Sequence, residues 1–241
     1  MKYLHKILLG FSLFGAVFAS ADSENMDYLR LGVGGLYGLY KVDKQDKDIN
    51  NIAGYFTLVG RETFADRRVF AEVGGELFGL GMSKVKGGSK EGFYWYDADI
   101  RLGVNIASQA NPLFLNVMYS FNRQYVGAVN EDFETGLHSA GLGLQGFLKG
   151  SGKTTYEYSA GYYYVFHGYH YLDKTRSGIN DYSYIVKAHI GFTYEITPKI
   201  GYFMNLKAKY YNLAQSNFNT PTFNRPKTQH LIGGVELGLQ F

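Results

Sequence analysis

The stretch Gly92-Phe-Tyr-Trp-Tyr-Asp-Ala-Asp-Ile-Arg-Leu-Gly-Val-Asn-Ile106 decides how the rest of this sequence reads. One parity carries Tyr94, Tyr96, Ala98, Ile100, Leu102, Val104 and Ile106; the other carries Trp95, Asp97, Asp99, Arg101, Gly103 and Asn105. Successive side chains of a β-strand point to opposite faces, so 92–106 predicts a strand that is apolar along one whole face and charged along the other. Strands of soluble sheets are typically about 5–6 residues long, whereas roughly 9–11 are needed to cross a bilayer at a tilt. This stretch exceeds both.

The pattern recurs. In 182–196 the apolar parity is Tyr182, Tyr184, Val186, Ala188, Ile190, Phe192, Tyr194 and Ile196, opposed by Ser183, Lys187, His189, Thr193 and Glu195. In 113–125 Leu113, Leu115, Val117, Tyr119 and Phe121 oppose Asn116, Ser120, Asn122 and Gln124, and in 154–167 the apolar parity is Tyr156, Tyr158, Ala160, Tyr162, Tyr164 and Phe166. Aromatics gather near the ends of these faces, with aliphatic residues between them, as in the two aromatic girdles of a membrane barrel. About ten such stretches follow the first residues, an even number as expected of a single-chain bacterial barrel, with eight as the alternative because the glycine-rich first and sixth are the weakest strands. The fold class predicted is all-β: a closed antiparallel transmembrane barrel.

Composition agrees. The 241 residues include 31 Gly, 22 Tyr and 18 Phe, but 4 Pro, 1 Trp and no Cys. So much glycine and aromatic content suits strands better than a helical bundle. Disulfides and thiolate metal sites are excluded. Beyond the N-terminal segment no apolar run of 18 occurs, which excludes a helical membrane protein.

Lys2, His5 and Lys6 precede an apolar run over 7–18 and the small residues Ala19, Ser20 and Ala21. That order predicts a cleaved secretory signal peptide at 1–21, followed by a single barrel domain at 22–241. Cleavage would remove Lys2 and Lys6, leaving 22 basic residues against 21 acidic ones, so charge gives no reason to expect a nucleic-acid partner. With both barrel termini in the periplasm, the longer gaps at 41–51, 83–91, 126–136, 170–181 and 212–228 become external loops. The connections at 61–67, 107–112, 149–153 and 197–199 become periplasmic turns.

The last segment places Leu231, Val235, Leu237, Leu239 and Phe241 on one face and stops on that aromatic residue. Here the sequence resembles the small outer-membrane β-barrel proteins of Gram-negative bacteria. The resemblance implies an outer-membrane location, passage past periplasmic chaperones, and Phe241 as the signal read by the barrel-assembly machinery. Outer-membrane lipid and lipopolysaccharide are further expected partners; the Lys- and Asp-rich loop 41–51 and Lys84, Lys86 and Lys90 on the next read by default as solvated surface, and in a functional version pair with lipopolysaccharide phosphates. A monomer without cofactor or metal is expected.

Parity sends a set of charges inward: Arg30, Glu72, Glu76, Asp97, Asp99, Arg101, Glu157, Lys187, His189, Lys207, Lys209 and Glu236. Acidic Glu72, Glu76, Asp97 and Asp99 lie on the third and fourth stretches, basic Lys187, Lys207 and Lys209 on the eighth and ninth, nearly opposite in a ring of ten. These groups either pair across and plug the lumen or set a transverse field in a narrow pore, since buried unpaired ions cost several kcal/mol. Interior glycines such as Gly34, Gly38 and Gly161 either leave room or accept large neighbours.

Asp97-Ala98-Asp99 also resembles one half of the omptin protease site, an Asp-x-Asp pair facing Asp-x-His. The second half reads Lys187-Ala188-His189, and a lysine in place of the aspartate would attract the carboxylates instead of orienting the imidazole. His138-Ser139 forms a poor nucleophile and base pair, because neighbours on a strand point oppositely. His167, His170, Asp173 and His138 could gather at the rim as metal ligands, although His167 and His170 differ in parity. The expected function is therefore an integral outer-membrane protein, structural or a small-solute pore, without catalysis. A surface-binding module acting through the external loops is the alternative, and a hydrolase of omptin or lipid-modifying type the third reading.

Overall fold

The structure is a computed structural model, and it describes residues 26–43, 48–85, 88–129, 133–172, 175–179, 181–217 and 225–241. The predicted signal peptide lies outside these residues, as do Lys86 and Asp173. Ten long antiparallel strands close into a barrel: β1 (Tyr28–Val42), β2 (Ile49–Phe64), β3 (Val69–Val85), β4 (Lys90–Asn105), β5 (Leu113–Val126), β6 (Glu134–Lys149), β7 (Thr154–Leu172), β9 (Tyr184–Thr197), β10 (Ile200–Leu213) and β12 (Thr228–Gln240). Neighbours in sequence are neighbours in the ring. Pairing of β1 with β12, from Arg30 with Gln240 to Val42 with Thr228, closes it. Two short strands, β8 (Thr175–Ile179) and β11 (Ser216–Asn217), extend the wall above β7 and lie within segments that read as loops in the sequence.

The end carrying Met26 and Phe241 is the base, the opposite end the rim. Connections at the base are tight. Between β9 and β10 the Thr197 hydroxyl accepts from the backbone N–H of Lys199 and Ile200. Between β4 and β5 the Asn105 side chain accepts from the N–H of Ala107 and Leu113. The β2–β3 turn is shorter than the sequence suggests. β2 continues to Phe64, and Ala65, Asp66 and Arg67 turn the chain with φ of 52°, 54° and 62°. Arg61, read as part of that turn, is instead a buried lumen residue.

The outward parity is the apolar one. Ile100, Leu102 and Val104 of β4 are half exposed on the barrel wall, as are Leu31 and Val33 of β1 and Leu237 and Leu239 of β12. Phe192, Tyr194 and Tyr202 meet in one ring cluster towards the base, and Tyr162, Tyr164, Tyr182 and Tyr184 in another towards the rim. Two bulges correct the simple alternation. In β3 an extra residue sits between Glu76 and Gly79, with Phe78 at φ 52°, so Phe78, Leu80 and Met82 stay on the outside although Glu72 and Glu76 share their parity. In β7 His138 pairs with His167 and Ser139 with Val165, which leaves Phe166 and His167 both outside.

Candidate functional site

The lumen is stratified. At mid-height its charges meet across the barrel. Lys187 of β9 places Nζ 2.8 Å from Asp97 Oδ1, 2.7 Å from Asp99 Oδ1 and 2.8 Å from Ser120 Oγ. Lys209 of β10 reaches Asp97 Oδ2 at 2.6 Å and Glu76 Oε2 at 2.7 Å. Lys207 bridges Glu76 at 3.4 Å and also pairs with Glu236. Arg101 holds Glu72 at 3.1 Å and Asp99 at 3.3 Å. Tyr28 donates to Glu72 and Trp95 to Glu76, each at 2.7 Å.

Arg30 pairs with Glu157 at 2.7 Å. Glu157 also lies 2.7 Å from His189 Nε2, and His189 Nδ1 lies 2.7 Å from Ser159 Oγ. This Ser-His-Glu chain has the connectivity of a nucleophile and its base. Its geometry is that of a packed network, because Arg30 anchors Glu157 and the cavity that Ser159 faces measures about 80 Å³. Such a space accommodates a few water molecules and no acyl substrate.

The charged residues singled out from the sequence lie inward; Glu76, Asp97 and Asp99 are in direct contact with Lys187, Lys207 and Lys209, whereas Glu72 is held by Arg101 of the adjacent strand and not by the opposing lysines. Six carboxylates (Glu72, Glu76, Asp97, Asp99, Glu157, Glu236) stand with six permanent cations (Arg30, Arg61, Arg101, Lys187, Lys207, Lys209) in this part of the lumen. For each of these ions except Arg61, two or more partners offset a desolvation cost that a single contact would not.

Arg61 completes the balance and was not singled out from sequence. Its guanidinium lies 4.0 Å from the ring centre of Phe70, 4.5 Å from Phe147, 5.0 Å from Phe114 and 5.8 Å from Tyr28. None of its three side-chain nitrogens has a hydrogen-bond partner among the described residues. The sequence signal was present: Arg61 continues the inward parity of Asn51, Tyr55 and Thr57.

Above the charged layer the inward parity turns apolar, which the count of lumen charges did not anticipate. Phe93, Trp95, Tyr163, Ile185, Tyr211 and Ile232 form a buried cluster that fills the rim half. Its polar groups are matched in part: His230 lies 3.1 Å from Asn51 and 3.0 Å from Gln124, and Thr135 lies 2.8 Å from His170, while His170 Nε2 and the Tyr211 hydroxyl have no hydrogen-bond partner among the described residues. Arg225, from the segment before β12, donates to the Tyr40 hydroxyl at 3.0 Å. The interior glycines accept large neighbours instead of leaving room. A Cβ on Gly34 would lie 2.2 Å from the Tyr55 ring, on Gly38 2.5 Å from His230, and on Gly161 2.6 Å from Met118. At the base a vestibule of about 410 Å³, lined in part by Arg30, Glu157, Thr193 and Phe241, opens outward.

The remaining candidates separate. Asp97 and Asp99 are both taken up by Lys187, and His189 turns away to Ser159 and Glu157, so the omptin-like half-sites do not assemble. Ser139 is buried inside, and His138 is on the outer wall with His167 at a ring distance of 5.6 Å. His170 is inside, opposite to them. Among the described residues no group of three or more His, Asp or Glu is arranged to hold a metal.

No protein-family model and no curated protein matches this sequence. Solved structures do. The outer membrane protease OmpT of Escherichia coli superposes with a TM-score of 0.60 at 11% identity, covering 93% of this chain and 99% of that one. Neisserial surface protein A is similar at a TM-score of 0.39 and 12% identity, with 87% and 96% covered. The COG4313 outer membrane channel from Pseudomonas putida F1 is similar at 0.42 and 10%, with 92% and 98% covered. At these identities the likeness is one of fold: this chain is a ten-stranded barrel of the Gram-negative outer-membrane type.

Proposed function

We propose that this chain is exported on a signal peptide at 1–21 and resides in the outer membrane as a monomeric barrel. Its role is structural, and its lumen is sealed against solutes. Phe241 serves as the assembly signal for the barrel-assembly machinery after chaperoned passage through the periplasm. The base then faces the periplasm and the rim the exterior.

The observation that carries this reading is the capture of Asp97 and Asp99 by Lys187, and of Asp97 by Lys209, beneath a buried aromatic layer. A pore would need those ions hydrated and a wet passage between Trp95 and Tyr211, whose rings instead meet edge to face at 5.9 Å. An omptin-like hydrolase would need a free Asp-x-Asp pair, which Lys187 occupies. Support for the outer-membrane location comes from the apolar outer wall and the long strands.

Reconstitution in planar bilayers tests the seal. The refolded protein is expected to insert without stable conductance steps; reproducible unitary steps would replace the structural reading with the small-solute pore. Fractionation of cells on a sucrose gradient tests location, with the heat-modifiable band expected in the outer-membrane fraction.

A further inference from the structure

Across four neighbouring strands the outward residues turn ionisable towards the rim: His138 and His167 share one cross-strand row with Phe121, and Arg123 lies one outward position and Arg176 two outward positions nearer the rim. On β5 the change is from Phe121 to Arg123, and on β6 from Ala140 to His138. On β7 it is from Phe166 to His167, and β8 presents Arg176. The β7 bulge is what brings His167 outside, beside His138.

The groups form one connected surface. The Arg176 guanidinium lies 4.0 Å above the Tyr169 ring and donates to His167 Nε2 at 2.7 Å. The rings of His167 and His138 are 5.6 Å apart, and His138 Nδ1 lies 2.8 Å from the Tyr119 hydroxyl. Phe121 packs on His138 at 4.9 Å. The carboxylate on this surface, Glu134, is engaged by Arg123 at 2.7 Å. Among the described residues no carboxylate pairs with Arg176, His167 or His138. One fixed positive charge and two imidazoles thus stand on an aromatic bed at the boundary of an apolar wall.

We propose that Arg176, His167 and His138 form a binding site for the phosphate of a phosphorylated glycolipid in the outer leaflet, whose acyl chains lie on the apolar wall below. The inference rests on the outer-membrane reading above. Guanidinium geometry suits phosphate oxygens, and its pairing with them is strongest where aromatic neighbours limit competing water. A headgroup is favoured over a soluble phosphate because the site faces the outer side of the wall, with the Phe121 and Phe166 rings beside His138.

The test uses the full-length mature barrel refolded in detergent and in phosphatidylcholine vesicles, with diphosphorylated lipid A as the probe. Native mass spectrometry is expected to show one retained lipid A. Arg176→Gln should weaken retention by about tenfold, the scale of a lost charge-assisted contact, and Arg176→Lys should keep part of it. His138→Asn with His167→Asn should weaken it further.

Equal retention by wild type and Arg176→Gln would overturn the site, as would equal retention of lipid A stripped of its phosphates. Competition by millimolar inorganic phosphate in place of lipid would overturn the choice of a headgroup. If each variant keeps its heat-modifiable band and outer-membrane fractionation while lipid discrimination is absent, the site alone fails. If the wild type is missing from the outer-membrane fraction, the underlying reading fails with it.

Discussion

Lys187 reaches across the lumen from β9 and sets its Nζ 2.8 Å from the Oδ1 of Asp97 on β4, 90 positions away in the chain. Both side chains are buried, and the same ammonium also holds Asp99. Removing one partner of such a cluster leaves uncompensated charge in the interior. Lys187→Met is therefore expected to destabilise the barrel by about 3–5 kcal/mol, read by urea unfolding in detergent. Adding Asp97→Asn and Asp99→Asn to that variant should recover most of the loss. A single Lys187→Met variant as stable as wild type would mean that the carboxylates are hydrated and the lumen is wet.

Arg61 presents the opposite case, a buried cation held by rings with no hydrogen-bond acceptor among the described residues. Desolvated cation–π contacts stabilise by about 2 kcal/mol each and Arg61 meets four rings, while its three unmet nitrogens cost about 1–3 kcal/mol each. The two effects nearly cancel. Arg61→Met should then cost less than Lys187→Met, about 1–2 kcal/mol, because Met preserves volume and brings no unmet donors although it leaves the six carboxylates with five cations. Arg61→Ala should lose about 2–4 kcal/mol to the cavity left among Phe70, Phe114 and Phe147. Unfolding midpoints of the two variants separate packing from charge.

Gly34 faces the Tyr55 ring so closely that an added methyl would lie 2.2 Å from it. Gly34→Ala is expected to cost about 1–3 kcal/mol by overpacking. In a Tyr55→Leu background the same substitution should cost far less. A double-mutant cycle with no coupling would show that Tyr55 moves aside freely.

Trp95 is the one tryptophan in the sequence, 2% exposed and packed between Tyr211 and Lys209. Its fluorescence should be unaffected by iodide in the folded barrel and become quenchable on unfolding. Quenching of the folded form would place water in the rim half of the lumen, against a sealed barrel.

Parity in the sequence was enough to separate the two faces of the wall, because a period of two is a local property of extended backbone. Tyr94 to Ile106 on one side, and Asp97, Asp99 and Arg101 on the other, can be read without knowing any neighbour. Parity fails where a bulge intervenes. Phe78 shares the parity of Glu76 yet faces outward, and His167 faces the same way as Phe166. A bulge arises from how two strands pair, so neither strand records it alone.

An antiparallel barrel with an apolar outside, a charge-segregated inside, and acidic and basic sectors far enough apart in strand order to face each other is legible along the chain. That these sectors touch, that Arg61 is inside, that aromatic side chains fill the lumen above them, and that His138 meets His167 outside emerges once the strands are assembled. The reason is physical: lumen contacts join residues by diameter and register. Barrel diameter and strand stagger follow from closing all ten strands together, so no single stretch of chain encodes which side chains span the interior.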